Sequence, residues 1–454
     1  MAATIPDDVV LEILLRVSRD VAALFRCAAT CKRWRTLIAD LSFLGRCWPD
    51  NACHPSSFLG FFVQQRRDPD DRDELFVGVD IDSPQPPVFL PAPAPWPVLG
   101  PRRRFLASLL PGLPAGLLDG AQPLTARHGL LLVRLARGPH IHMAMCDPLN
   151  GTFHVLPPIK RRAYSANCAI LTDADCSSPS GPRRPAPSPD RKFFKVLAIV
   201  VESYRDRVHD CDLYTFSSTG SDWSTPARCL DEICDYGKRG FRVLQETQNV
   251  AVCRGTAHWL VEYWSDKADL SSYHTLDIDA ATGHVSLTEL SIPMNQLTKS
   301  RYSTEEPTLC TAVDGTLLLF YMCMEAGLGR LDIWTWPGGV NEESGGRWLL
   351  ARVVELRPPM EEWDPMFVRV WSGQKSGVLF IVDSFAHVYK VDAEAGAMED
   401  VTGLFGGCLG TMALPLEIDW PLLFVSRLGG RSQLGSCYSE QRHSEDWPTP
   451  QANN

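Results

Sequence analysis

The chain is 454 residues long, 45% hydrophobic and 22% charged, a globular composition that excludes disorder as a whole and leaves material for more than one domain. Its 44 basic against 54 acidic residues give a net charge of -10, the opposite of the basic footprint of phosphate-backbone binding, so no direct nucleic-acid partner is expected. Apolar runs such as 316–324 and 196–201 fall far short of the roughly 20 residues of a membrane-spanning helix, so no membrane partner is expected either.

The N-terminus reads Met1-Ala2-Ala3-Thr4-Ile5-Pro6-Asp7-Asp8, with acids where a secretory signal carries bases. The expected location is therefore cytoplasmic or nuclear. The first 48 residues carry a net charge of +2, leaving -12 for the rest. Within them Ile5, Val9, Val10, Ile13, Leu14 and Val17 recur at helical spacing, with Pro6, Asp7 and Asp8 where a helix start favours them. Cap-type residues follow at Ser18 and Asp20, then a second apolar stripe of Val21, Leu24, Phe25 and Ala28, and a third of Trp34, Leu37, Ile38 and Leu41. Three helices this short cannot bury their own apolar surface, and a partner is expected to cover part of it.

After Trp48 the helical period disappears. Proline crowds into 83–101 and 177–189, which predicts loops or insertions near 83–101 and 175–190. Residues 430–454 are polar, with few aliphatics, and predict an unpacked tail. Between these interruptions a turn glycine followed by an apolar run recurs at Gly129, Gly255, Gly315 and Gly377, at separations of 126, 60 and 62. Halving the first gap predicts a unit near Lys192, where FFKVLAIVV stands, and a weaker one begins at Gly60 with Phe61-Phe62-Val63. A second turn closes each unit, at Gly151, Gly220, Gly283, Gly339 and Gly396. Alternating β-branched and aromatic residues between such turns predict antiparallel hairpins. Units that cannot cover both faces of their own sheet pack radially, which predicts a β-propeller; a pair of β-sandwiches is the alternative.

The fifteen cysteines are odd in number and scattered from Cys27 to Cys437, a pattern of reduced thiols. Neither Cys27/Cys31 nor Cys229/Cys234 has the spacing of a zinc site. His140 and His142 lack further ligands in sequence, so no metal or cofactor is expected. The sequence has no Gly-x-Ser-x-Gly elbow, His-Glu-x-x-His pair, phosphate loop or dinucleotide fingerprint. Trp223, Trp259, Trp334, Trp336 and Trp348 fall at repeat positions that call for core bulk. Trp363 and Trp371 are less regular and are candidates for gripping a substrate peptide.

The segment from Ile5 to Trp48, with its Ile-Pro-Asp-Asp opening, Glu12-Ile13-Leu14, Leu24, Arg26-Cys27, Cys31-Lys32-Arg33-Trp34, Leu37-Ile38 and Phe43, resembles the F-box. It departs in Ile5 for the usual leucine before the proline, and in Ser18-Arg19-Asp20 where many members have a leucine-proline connection. The remainder, from GLLLV through CDPLNG, FKVL, GTAHWL and DGTLLL to LDIW, resembles the F-box-associated propeller common in plants. The resemblance implies an all-α F-box of three short helices at 1–48 followed by an all-β propeller of six blades at 58–428. It implies a non-catalytic substrate receptor of an SCF-type ubiquitin ligase. Its helices would dock a Skp-type adaptor that links to cullin and RING subunits, and its propeller would hold a target protein. The positions matching the family's adaptor-facing set are Pro6, Val9, Val10, Ile13, Leu14, Leu24, Cys27, Trp34 and Leu37. Trp34 and Leu14 are expected to contact the partner rather than pack internally. Alternatives are an interaction module outside any ligase, and a propeller enzyme or sugar binder that uses the central channel.

Overall fold

The computed structural model describes residues 5–49, 52–64, 86–92, 99–100, 102–161, 165–176, 193–204, 207–229, 239–243, 250–265, 268–290, 307–325, 328–336, 348–359, 369–383, 387–405 and 413–428. They divide into a helical unit, residues 1–44 with 421–454, and a β unit, residues 45–420.

In the helical unit, α1 (Asp7–Val17) starts behind Pro6 and carries Asp7 and Asp8 in its first turn, where the helix dipole favours negative charge. α2 (Val21–Thr30) is capped by Asp20, whose carboxylate accepts from the Ala23 N–H at 3.0 Å. α3 (Lys32–Ile38) is capped by the Cys31 sulfur, 3.4 Å from the Trp34 nitrogen. The third apolar stripe does not form one helix. Asp40 accepts from the N–H groups of Ser42 and Phe43 and starts α4 (Leu41–Cys47), which leaves Leu41 68% exposed. The helix Trp420–Leu428, which the sequence pattern places at the end of the propeller, groups with this unit from residue 421 onward. Its Phe424 is fully buried and stacks on Phe25 with ring centroids 4.3 Å apart.

The β unit is a six-bladed propeller of antiparallel sheets. Blade 1 combines Phe58–Val63, Val88–Pro91 and Arg104–Phe105 with Ala413–Glu417 from the far end of the unit. Blade 2 runs through Gln122–Arg127, Leu130–Leu135, His142–Asp147 and Thr152–Val155. Blade 3 runs through Ser165–Thr172, Phe194–Tyr204, Arg207–Ser217 and Ala227–Arg228. In blade 4, Arg239–Val243 and Val250–Cys253 both pair Thr256–Ser265, followed by Ala268–Asp279 and Val285–Glu289. Blade 5 is Thr308–Thr311, Leu317–Glu325, Leu328–Trp336 and Leu349–Glu355, and blade 6 is Arg369–Ser372, Leu379–Val382, Val388–Val391 and Met398–Asp400. The strands Ala413–Glu417, Gln122–Arg127, Ser165–Thr172, Val250–Cys253, Thr308–Thr311 and Arg369–Ser372 follow one another as neighbours and form the inner ring.

The repeat glycines sit where an inner strand turns into the second strand. Gly255, at φ +80°, occupies the left-handed region that only glycine enters freely. Gly129, Gly315 and Gly377 repeat it. The weak sixth unit at Gly60 is a true blade. The proline-rich stretch 83–101 is not all loop. It contains the strand Val88–Pro91, whose prolines fall at its margins and whose Val88, Phe89 and Leu90 are buried. The insertion expected near 175–190 begins later than 175, because Asp173–Cys176 is a short helix. Residues 177–189 and 430–454, and with them those two expectations, lie outside the described residues.

Apolar clusters fill the space between consecutive blades. Leu197, Ile199 and Trp259 join blades 3 and 4. Leu260, Leu319, Trp334 and Trp348 join blades 4 and 5. Trp223 and Trp336 are partly buried against such clusters. Trp371, read from sequence as a substrate-gripping residue, is instead core. It lies on an inner strand, is 4% exposed and packs 5.0 Å from Phe61 between blades 6 and 1. Trp363 lies outside the described residues.

Leu416 is fully buried on the strand that closes the ring. Leu416→Ala is expected to destabilise the propeller by about 2–5 kcal/mol in denaturant unfolding, the range for truncating a packed leucine.

Candidate functional site

Two surfaces, one in each unit, are candidates for function. Val9 and Ile13 on α1, with Ile5 just before the helix, recur every four residues and are 45%, 39% and 52% exposed, with Pro6 exposed beside them. Large apolar side chains in one row on a helix mark a contact surface rather than a core. Cys27, Trp34 and Leu37 are half-buried. Val10, Leu14 and Leu24 point the other way and are at most 1% exposed. Leu14 therefore departs from the sequence expectation. One position past Ile13 on the helix, it turns to the inward face, where α1, α2 and α3 meet. Arg33 of α3 fixes the start of α1 by donating to Asp7 at 2.7 Å and to the Ile5 carbonyl.

The second surface is the propeller's central channel, whose cavity of about 110 Å³ is lined by Thr125, Arg127, Val252, Thr308, Lys375 and Glu417 among others. That is small beside the roughly 300–1,000 Å³ of small-molecule sites. Arg127 spans the channel at the end where inner strands turn outward. Its Nη2 and Nε donate to Asp175 at 2.7 and 3.2 Å, its Nη1 to Gln374 at 2.7 Å and its Nη2 to the Val252 carbonyl at 3.2 Å. One guanidinium thus ties blade 2 to blades 4 and 6 and to the helix after the inner strand of blade 3. Burial would raise the Asp175 carboxyl, but the Arg127 charge and hydrogen bonds hold it below its usual value.

Beside it, the Thr172 hydroxyl donates to Asp175 at 3.0 Å and so accepts from His128 Nδ1 at 3.2 Å. Burial, reinforced by the Arg127 charge, pushes this imidazole down to about 4, so His128 is neutral at physiological pH. Glu417 accepts from the backbone N–H groups of Lys375 and Ser376 at 3.0 and 2.8 Å, and Lys375 Nζ lies 3.5 Å from Asp419. Arg127, Asp175, Lys375 and Glu417 are each engaged by other groups of the protein. His140 and His142 are joined by no third ligand, and no cluster of three metal-ligating side chains occurs among the described residues. Sequence reasoning did not find Arg127 and Asp175, because 48 residues separate them and only ring closure brings them together.

Residues 2–44 match the F-box-like family. No curated protein matches the chain. Among solved structures, the Dos1 propeller aligns at 11% identity and a TM-score of 0.32, over 62% of this chain and 60% of its own. TolB from Acinetobacter baumannii aligns at 12% identity and a TM-score of 0.33, over 84% of this chain and 72% of its own. An endo-arabinase from Bacteroides thetaiotaomicron aligns at 10% and 0.28, over 62% and 95%. At such values these likenesses carry no functional argument. An F-box-like domain implies docking to a Skp-type adaptor, and a propeller implies protein interaction.

Arg127→Met leaves Asp175 buried without its charge partner and is expected to cost about 3–5 kcal/mol in denaturant unfolding. Adding Asp175→Asn should restore part of the loss. The unfolded imidazole of His128 takes a proton near pH 6.5, whereas the folded one resists until about 4. Its contribution is therefore intact above pH 6.5 and lost progressively as pH falls to about 4. His128→Asn, which tolerates the native φ of +49°, should flatten the thermal midpoint across that window.

Proposed function

We propose that this chain is the substrate receptor of an SCF-type cullin–RING ubiquitin ligase, acting in the cytoplasm or nucleus. The helical unit docks a Skp-type adaptor and the propeller holds a target protein. The observation that carries the reading is the exposed row of Ile5, Val9 and Ile13 inside the segment that matches the F-box-like family. With Pro6 and the half-buried Cys27, Trp34 and Leu37 it offers an apolar contact that a partner helix can cover. Trp34 has the size and amphipathic ring of a residue that anchors interfaces.

The mechanism is proximity. An adaptor-bound receptor holds lysines of its target close to the conjugating enzyme, which raises their effective concentration without a bond being made or broken by this chain. A rigid ring suits that task, because a platform that does not deform loses little entropy on binding. The second reading, a ligand site in the channel, has the perturbed His128 in its favour. Against it stands the pairing of Arg127, Asp175, Lys375 and Glu417 with groups of the protein itself.

The test is a pull-down of the intact chain, and of residues 50–454, against a Skp-type adaptor with a cullin blot. Val9→Asp and Ile13→Asp are expected to abolish adaptor capture while leaving the fold intact, because both side chains already face solvent. Leu14→Ala is expected to act through stability instead, by about 2–5 kcal/mol. Adaptor and cullin captured equally by Val9→Asp, Ile13→Asp and the intact chain would overturn the reading. Capture of adaptor without cullin would leave an interaction module outside the ligase.

A further inference from the structure

Blade 4 carries a row of polar side chains on the face it turns toward blade 5. The strand Val250–Cys253 pairs with Thr256–Ser265 so that Ala251 stands opposite His258 and Cys253 opposite Thr256. This places Cys253 diagonally across from His258 on one face. The next register sets His258 opposite Asp277. The distances are those of a working constellation: Cys253 Sγ to His258 Nε2 is 3.3 Å, His258 Nδ1 to Asp277 Oδ1 is 2.7 Å, and the Thr288 hydroxyl donates to Asp277 Oδ2 at 2.8 Å. Thr288 and Asp277 together fix the imidazole with Nδ1–H toward the carboxylate and Nε2 toward the sulfur. Burial works to lower His258, but the hydrogen bonds it donates to Asp277 and Cys253 prevail and raise it to about 9, so the imidazole is protonated at neutral pH and turns an N–H toward the sulfur.

We propose that Cys253 is a nucleophilic thiol, activated by His258 and held in register by Asp277, and that it is a modification site for hydroperoxides and other small electrophiles. A sulfur beside an imidazolium that a third group orients is the arrangement that stabilises a nucleophilic thiolate. With a hydroperoxide, the sulfur attacks the terminal oxygen. A sulfur–oxygen bond forms as the oxygen–oxygen bond breaks, and the sulfur loses two electrons to become a sulfenic acid while the peroxide is reduced. The proton that His258 Nε2 carries is delivered to the departing oxygen, which leaves as water or an alcohol.

Position gives this chemistry an effect. Cys253 ends an inner strand, next to Val252, whose carbonyl accepts from Arg127, and next to the Arg254–Gly255 turn, where Arg254 holds φ at +48°. It is 9% exposed, and it packs with Leu260, Leu309 and Leu319 between blades 4 and 5. Oxygen added to this sulfur enters an apolar seam and bears on the Arg127 network, which holds the Val252 carbonyl one residue away. The inference is independent of the ligase reading.

The experiment is limiting alkylation of the native full-length protein by iodoacetamide at neutral pH, with each cysteine's modification followed by mass spectrometry. Cys253 is expected to react about tenfold or more faster than Cys31 and Cys53, which are far more exposed. His258→Gln should bring it below Cys31, and Asp277→Asn should give an intermediate rate. Hydrogen peroxide followed by a sulfenic-acid trap should label Cys253 first. A Cys253 slower than Cys31 in the wild-type protein would overturn the proposal and leave the row a structural staple. That comparison needs no variant and so stands whether or not the substituted proteins fold.

Discussion

Everything in the propeller depends on one antiparallel pairing between strands more than 300 residues apart. Phe58–Val63 and Ala413–Glu417 share a blade, with Phe61 opposite Pro415 and Val63 opposite Ala413. Such a long-range contact must overcome the entropy of closing a long loop. Once made, it leaves no blade at the end of a row, so every sheet has a neighbour over each face. The aromatic side chains concentrate accordingly. Phe61 lies within 5.3 Å of Phe58, Trp371, Phe380 and Phe405 by ring centroids, at the seam between blades 6 and 1. Gly60 on the same strand lets the chain come so near Val88–Pro91 that a Cβ would stand 2.1 Å from the Leu90 carbonyl oxygen.

Closing a ring draws inner strands from all six blades toward one axis, and with them whatever polar side chains their ends carry. Charges gathered there must be paired or pay a desolvation penalty. Arg127 meets that condition by reaching an aspartate, an amide and a carbonyl from three other parts of the chain. The same constraint explains Glu417, which satisfies two backbone N–H groups in the turn of blade 6. A channel whose charges are consumed in this way spends them on the protein itself rather than on a ligand. That agrees with the proposed role as a platform for a protein target.

Much of this architecture was legible because the repeat is written in glycines and apolar runs. Gly129, Gly255, Gly315 and Gly377 each mark a hairpin that needs a left-handed residue, and their spacing counts blades. Features that depend on neighbours far along the chain were not legible. Val88–Pro91 hid among prolines, because only its pairing with Phe58–Val63 shows that they fall at its margins. Trp371, irregular in the repeat, reads as a candidate for gripping a peptide until the neighbouring blade supplies Phe61. On α1 the apolar stripe is wider than either face alone. Periodicity picked out the apolar positions but did not divide them between faces, and Leu14 fell on the buried side while Val9 and Ile13 fell on the exposed one. Phe424 shows the same limit. A C-terminal helix that groups with N-terminal helices has no signature in its own residues.

The row of Cys253, His258 and Asp277 shows why motif scanning misses chemistry built on sheets. Each residue sits on a different strand of blade 4, five and nineteen residues apart along the chain, and neither spacing means anything without the register. Two adjacent pairings do the work. One sets His258 opposite Asp277, and the other sets Cys253 two residues off the same line. A slip of one residue in either pairing would turn His258 to the opposite face, among Ala257, Trp259 and Val261 in the seam with blade 3, and dissolve the row. The register is held in turn by those apolar side chains, which bury fully only when His258 and Leu260 face blade 5. Packing on one face of the sheet therefore fixes the polar geometry on the other, with no sequence motif to announce it.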